Sequence, residues 1–315
     1  MPSAELGLRN NEFKDNDIRA LTVSGRTVPQ TWENAVKKLW LGKRIARTLT
    51  EYDSSEDPYS RATTMMMIVT HPLEEPRIHR AIPDGLRGLY KYTKEVIGGV
   101  HDYKVRSGGW SYSYSDRLHN WPGIDGQEQV QKLVNGELTY LPPVNQINYI
   151  VQALAKVWYT RRAQAITWNP QRDPGIEDPP CLQRIWCEIV ESGGGYLLDM
   201  NTHWRSRDAL KGAFMNMYAL TTLQGMMAEE ISRISGKRVE VGRYVDITDN
   251  FHIYGSYMRK GEIQGFIRSL KMRSFEGRTF RSDDQIVIDS FAEEEIELQQ
   301  EIETRHKFLQ EDGNK

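Results

Sequence analysis

The sequence predicts an α/β (α+β) protein, on three observations. The runs Thr63–Val69, Leu182–Val190 and Tyr196–His203 carry β-favouring residues and are closed by turn-forming ones. Gln30–Thr48, Leu86–Val100 and Gln146–Val157 instead space their apolar residues three and four apart, the period of a helix with one buried face. Ala209–Ser235 is a long, largely apolar helix bearing Phe214, Met217, Leu220, Leu223, Met227 and Ile231. Such a helix normally lies buried against a sheet.

Residues 1–30 are polar and mixed, an arm leading into a strand at Ile18–Val23. Thr31 is the expected N-cap of the next helix, with Ala35, Leu39, Leu41 and Ile45 as its apolar stripe. Met65-Met66-Met67 reads as strand core, and His71-Pro72 ends that strand because a residue before proline is pushed out of helical geometry. Leu86–Val100 closes at Gly98-Gly99. Gly108–Trp121 is rich in Tyr, Ser, Trp and Gly and suits a loop-lined pocket wall. Ile147, Ile150, Val151 and Leu154 share one face of the Gln146–Val157 helix. Ala163–Trp168 follows as a strand and Asn169–Pro180 as a Pro/Asp-rich loop. Ser192–Gly195 is a turn and not a phosphate loop, since no Lys-Ser/Thr follows it. Val239–Ile247 and Asn250–Tyr254 are strand-like, and Phe291–Asp312 is an acidic amphipathic helix with Glu293-Glu294-Glu295 as a solvated face. His71, His79 and His101 lack ligand spacing and fall in loops. The expected organisation is one domain, residues 55–275, with an N-terminal extension of strand and helix at 1–54 and an acidic helical extension at 276–315.

The 315 residues carry a formal net charge of −2, which argues against a nucleic-acid partner or a membrane surface, both of which call for basic excess. No apolar run approaches the roughly 18 residues of a membrane span, and Met1–Arg9 has no signal-like apolar core. The two cysteines, Cys181 and Cys187, are expected as free thiols in a cytoplasmic setting. With so few cysteines and scattered histidines, no metal site is expected.

Chemistry-bearing residues concentrate between Arg161 and Asp208: Arg161-Arg162, Pro179-Pro180-Cys181 and Arg205-Ser206-Arg207-Asp208. Paired guanidinium forks suit a phosphate dianion. A lone cysteine beside positive charge can ionise, and thiolate is a far better nucleophile than thiol. Phosphate anchor plus soft nucleophile points to covalent catalysis on a phosphorylated small molecule.

These motifs, with Tyr159-Thr160-Arg161-Arg162-Ala163, Pro180-Cys181-Leu182-Gln183 and His252-Ile253-Tyr254, resemble the thymidylate synthase superfamily and its pyrimidine-nucleotide hydroxymethylases, most nearly the archaeal-type members. The resemblance covers roughly residues 55 to 258. It implies the thymidylate synthase fold, a mixed β-sheet with a long buried helix and a homodimer formed through the sheet. It implies transfer of a one-carbon unit from 5,10-methylenetetrahydrofolate to C5 of dUMP, with no metal. Cys181 matches the nucleophile that adds to C6. Arg61, Arg161, Arg162 and Arg205 with Ser206 match the phosphate ligands, the arginine pair reaching across the dimer interface. Asn216 matches the amide that reads the pyrimidine; aspartate there would favour cytosine. His252 and Tyr254 match the pair on the sugar 3′-hydroxyl, and Asp208 and Gly212 the pterin carboxylate and the close-approach glycine. Tyr114 matches the tyrosine that helps remove the C5 proton, and Glu95 the carboxylate that organises water near O4.

Leu182 and Trp204 stand where many synthases have histidine and glutamine, and the usual stretch with paired tryptophans is shortened to Val100–Gly109. A looser lid lets water capture the exocyclic methylene, so the reading leans to 5-hydroxymethyl-dUMP over dTMP. A methanopterin carrier, and a non-catalytic member that binds nucleotide or RNA, are the alternatives.

Overall fold

The computed structural model describes residues 20–42, 45–123, 131–134, 137–140 and 142–312, the backbone alone for 131–134, 137–140 and 305–312. Strand β1 (Ala20–Gly25) pairs in parallel with β3 (Ser60–Val69). Of the strand expected at Ile18–Val23, the first two residues lie outside the described ones. Between β1 and β3, helix α1 runs Val28–Leu41. It starts earlier than the sequence predicts. Pro29 sits in the first turn, where its missing N–H is no loss, and Thr27 is the cap. Thr31 is fully buried inside the helix, its hydroxyl donating to Thr27 O. The helix also stops sooner, at extended Gly42, and Ala46–Thr48 forms the short strand β2 against the start of β3.

The chain then forms β4 (Ile78–His79), α2 (Gly85–Gly98), α3 (Tyr103–Arg106) and α4 (Tyr114–His119). Helix α2 ends as predicted, with Gly99 in the left-handed region at φ 62°. Helix α4 interrupts what reads as a loop, because the Ser113 side chain caps it by accepting from Asp116 N–H at 2.9 Å. A backbone hairpin, β5 (Gln131–Val134) with β6 (Glu137–Tyr140), precedes α5 (Gln146–Lys156).

The remaining sheet strands are β7 (Gln164–Ile166), β8 (Leu182–Ser192), β9 (Gly195–Trp204), β10 (Arg207–Asp208) and, after helix α6 (Ala213–Ser235), β11 (Val239–Ile253). The sheet is mixed, ordered β1-β3-β11-β9-β8-β7, with β2 on β3 and β10 on β11. Gly193 and Gly194 close the β8–β9 hairpin with φ of 58° and 82°, the positive values a tight two-residue turn demands. Helix α6 starts four residues later than predicted, since Arg207-Asp208 is drawn into β10 and the Asp208 carboxylate accepts from Leu210 and Lys211 N–H. The two strands expected from 239 to 254 are one, bulged against β3 between Thr248 and Phe251, where Asp249 and Asn250 are exposed. A second bulge, against β9 between Val241 and Tyr244, is satisfied by side chains: Asp199 accepts from Arg243 N–H and Gln224 of α6 donates to Arg243 O.

Helices α7 (Gly255–Arg259) and α8 (Glu262–Met272), strand β12 (Thr279–Phe280) and helix α9 (Gln285–Asp312) complete the chain. The core lies between α6 and the sheet. Fully buried Trp32 of α1 donates to Ala209 O at 2.7 Å and packs its ring on His79, Phe214 and Phe266. His79 is therefore a core histidine and not a loop one. Its Nδ1 accepts from Ala81 N–H, so Nε2 carries the proton toward Glu33, which also pairs with Arg278. The segments before residue 55 and after 275 thus share the sheet and core of the intervening chain. Of Glu293-Glu294-Glu295, expected as a solvated face, only Glu293 is exposed: Glu294 is buried between Arg87 and Lys91 of α2, and half-buried Glu295 accepts from Tyr90.

Candidate active site

The β8–β9 pairing sets the site. Arg205 N–H donates to Cys181 O at 2.9 Å, so the thiol stands where both strands leave the sheet. The Arg205 guanidinium donates to Pro180 O at 3.1 Å and Pro179 O at 2.5 Å, fastening the loop that presents Cys181, with Asp178 3.8 Å away. Two residues on, Arg207 is buried, held by Asp246 and stacked 4.4 Å from the Trp204 ring. Its Nε and Nη1 are buried without a hydrogen-bond partner among the described residues. Arg207 is a site residue the sequence reading passed over, though the Arg-Ser-Arg-Asp spacing places it beside the thiol.

Contrary to the expectation of a readily ionised thiol, burial pushes Cys181 up; Arg205 and then Arg207 pull it down, and Asp178 works against them. Alkylation by iodoacetamide is therefore expected to rise with pH through a midpoint above the ordinary thiol range of about 8.5. An Arg205→Gln variant, losing the largest opposing charge, should move that midpoint higher. A midpoint near pH 7 for the intact protein would contradict this account. Cys187 is fully buried in β8 and should stay unmodified throughout.

Beside the thiol lies a cavity of about 370 Å³ lined by Tyr92, Glu95, Trp110, Ser111, Tyr112, Ser113, Tyr114 and Asp178. The Gly108–Trp121 segment does form its wall, and Tyr114 is carried there by α4. The Tyr114 hydroxyl accepts from Leu182 N–H at 3.3 Å, and its ring meets Trp204 and Tyr112 edge-on. Burial raises Tyr92, Tyr112 and Tyr114, so all three are neutral phenols able to donate. Asn216, one turn into α6, donates from Nδ2 to the Tyr92 hydroxyl, which ties it to the cavity holding Glu95.

His252, near the end of β11, and Tyr254, just past it, have rings 4.5 Å apart. Burial pushes the His252 imidazole down toward neutrality; Nδ1 lies 3.1 Å from Asn250 O, and Nε2 is buried without a hydrogen-bond partner among the described residues. Tyr52 packs on Tyr254, and its segment is pinned by Asp53, which accepts from Gly255 and Ser256 N–H. Gly255 passes so close that a Cβ would sit 1.7 Å from Pro58 O. Asp208 donates nothing and accepts at both oxygens, Oδ1 from two backbone amides and Oδ2 from the Tyr257 hydroxyl at 2.5 Å. Gly212 lies between Asp208 and Asn216 at the start of α6. Half-buried Ser206 separates Arg205 from Arg207.

Three predicted phosphate ligands lie apart from this cluster. Arg61 is turned to the end of α1, donating to Gly42 O at 2.7 Å, although its backbone pairs with Ile253 between His252 and Tyr254. Arg161 and Arg162 stand exposed on the loop between α5 and β7, with no ion-pair partner among the described residues.

The ends of β8 and β9 thus bring together a thiol, fixed cations and a phenol-lined cavity, a set of groups that suits group transfer. Residues 97–302 match the model of the thymidylate synthase family. Over 211 residues the chain is 29% identical to the protein of Methanopyrus kandleri named "Putative thymidylate synthase", covering 67% of this chain and 85% of that one. The Methanosarcina mazei protein of the same name is 24% identical over 235 residues, 74% of this chain and 88% of that one. The thermostable thymidylate synthase A of Bacillus subtilis shares the fold at a TM-score of 0.51 and 19% identity, covering 76% of this chain and 83% of that one. The chain belongs to the thymidylate synthase family and is a one-carbon transferase. Among the described residues, no helix is long and apolar enough to cross a membrane.

Proposed function

We propose that this chain transfers the one-carbon unit of 5,10-methylenetetrahydrofolate to C5 of dUMP, as a homodimer formed through the open sheet face. Cys181 adds to C6 of the ring, and the electron pair moves to C5, which forms the new carbon bond. Asn216, held by Tyr92, supports the reading of uracil, because an amide both accepts from N3–H and donates to O4. Arg205 and Ser206 hold the phosphate, Arg61 turning from Gly42 O to join them. The unpaired Arg161 and Arg162 of a second copy fit the remaining charge. His252 Nε2, buried and without a partner, supports a hydrogen bond to the sugar hydroxyl, with Tyr254 beside it. Asp208 and Gly212 fit the pterin: Asp208 Oδ2 retains a lone pair for a ring N–H, and Gly212 offers a side-chain-free surface. Bound there, the folate supplies an electrophilic methylene, and Tyr114 or its neighbours take the C5 proton.

The observation that carries the product reading is the cavity lining. Beside Val96 and Trp110 it carries Ser111, Ser113, three tyrosines and two carboxylates, polar groups suited to hold water next to the reacting carbon. Water then captures the exocyclic methylene and gives 5-hydroxymethyl-dUMP with tetrahydrofolate. A second reading, reductive methylation to dTMP, is favoured by the name of the archaeal relatives. Mass spectrometry of the product from dUMP, dCMP and UMP, with absorbance of the folate, separates the two. The expected outcome is a hydroxymethyl product from dUMP; an absorbance rise from dihydrofolate would replace it by the methyl reading. No tritium release from C5-labelled dUMP would instead favour a binding protein.

A further inference from the structure

We propose that Glu301 of the acidic helix α9 and His101 together position the cavity carboxylate Glu95, making the C-terminal helix a working part of the active site. The inference rests on the reading of Glu95 as the carboxylate that handles protons near the pyrimidine O4. His101, placed in a loop by the sequence reading, is only 3% exposed. Its Nδ1 lies 2.6 Å from Glu95 Oε1, and its Nε2 lies 3.2 Å from Glu301 Oε1. The Tyr103 hydroxyl donates to that same Glu301 oxygen, and the rings of Tyr103 and Trp110 pack edge-on against the imidazole at 5.8 Å each. The imidazole is thereby fixed on both nitrogens and both flanks.

Proton counting shows what this arrangement does. A neutral imidazole has one N–H and cannot donate to two carboxylates. Either the ring is a cation between two anions, or one of the two carboxyl groups holds the proton. In both cases a proton is held within this unit, and Glu95, pinned at Oε1 to His101, is also one of the residues that line the cavity. The charges around this unit are Lys91 and Glu95 from α2, Lys104 with the Tyr103 hydroxyl from α3, and Glu301 from α9. Asp102 is turned away, toward Ser113 and Ser115. The attachment of α9 does not depend on Glu301: Glu294 pairs with Arg87 and Lys91, Glu295 with Lys94, and Phe291 packs on Tyr90. A change at Glu301 can therefore alter the relay without releasing the helix.

The test is the pH profile of tritium release from C5-labelled dUMP in the full-length protein. In Glu301→Gln the imidazole loses the carboxylate on its Nε2 and with it one of the two contacts that fix the ring. Glu95, no longer held in one place by that ring, should serve the proton transfer less well. The expected result is a fall in kcat of about tenfold, a KM for dUMP within about twofold, and a displaced acid limb. Tyr103→Phe, which only loosens Glu301, should shift the same limb less. Glu297→Gln, which removes a contact of α9 to Arg87 without touching His101, should leave the profile unchanged. Superimposable profiles for Glu301→Gln, Tyr103→Phe and the parent, with Glu95→Gln inactive, would overturn the proposal alone. Full turnover by Glu95→Gln would overturn the reading of Glu95 beneath it.

Discussion

Replacement of Cys181 by serine is expected to lower turnover by roughly 10³-fold or more, the scale on which nucleophile deletions act in covalent enzymes. An alcohol is a weaker attacker on C6 and a poorer leaving group from the adduct, so both halves of the cycle suffer. The same substitution removes little volume at a half-buried position, so the melting temperature should move by only a few degrees. Incubation of the parent protein with 5-fluoro-dUMP and the folate should add the mass of one nucleotide together with its methylene-linked folate, because fluorine at C5 blocks release of the folate, and the adduct should map to Cys181. Cys181→Ser should show no such adduct. An adduct on Cys187, or full turnover by the serine variant, would show that the sulfur beside Arg205 is not the attacking atom.

The raised thiol bears on how that attack begins. Burial holds Cys181 above its ordinary range, and the counteracting charges come from Arg205, clamped to Pro179 and Pro180, and Arg207, clamped to Asp246. Thiolate character therefore depends on two guanidinium groups already held in place, and any change in what they face alters the nucleophile. Phosphate binding at Arg205 would draw that cation toward the substrate. The unpartnered N–H groups of Arg207 would remain beside the sulfur.

Much of this was legible in the sequence because the deciding interactions are local. Gly99 had to end α2, the apolar run had to make α6 a buried helix, and the motif residues from Cys181 to Asp208 had to meet because a two-glycine hairpin folds β8 onto β9. What the sequence leaves unread depends on partners distant in the chain. His101 gains its meaning from a glutamate 200 residues away, and Glu294 its burial from α2. The break expected in β11 is a bulge, a backbone event that exposed Asp249 and Asn250 imitate in sequence. The start of α1 is a miss of another kind: Thr27 and Pro29 held the signal, and the apolar stripe drew attention past it.

The largest expected effect on stability comes from a pair with no predicted role. Arg117 of α4 and Asp173, in the loop that leads to Cys181, are both fully buried. They meet through Nη2 to Oδ1 at 2.8 Å and Nη1 to Oδ2 at 3.3 Å. Arg117 also donates to Thr167 O, and Asp173 accepts from Asn169 N–H at 2.6 Å. Asp173→Ala should cost about 3–5 kcal/mol, because it removes the bidentate partner of a fully buried guanidinium. Chemical denaturation measures that loss. The double variant Arg117→Met with Asp173→Leu should recover a substantial part of it, since the penalty lies in the stranded charge more than in the missing bond. Turnover should not recover with stability. The pair joins the helix that carries Tyr114 to the loop that carries Cys181, and flexible apolar contacts cannot fix their separation as two parallel hydrogen bonds do. A double variant restored in both stability and turnover would show that any filler suffices between the two elements. A stable but slow one would assign the buried pair to the geometry of the attack.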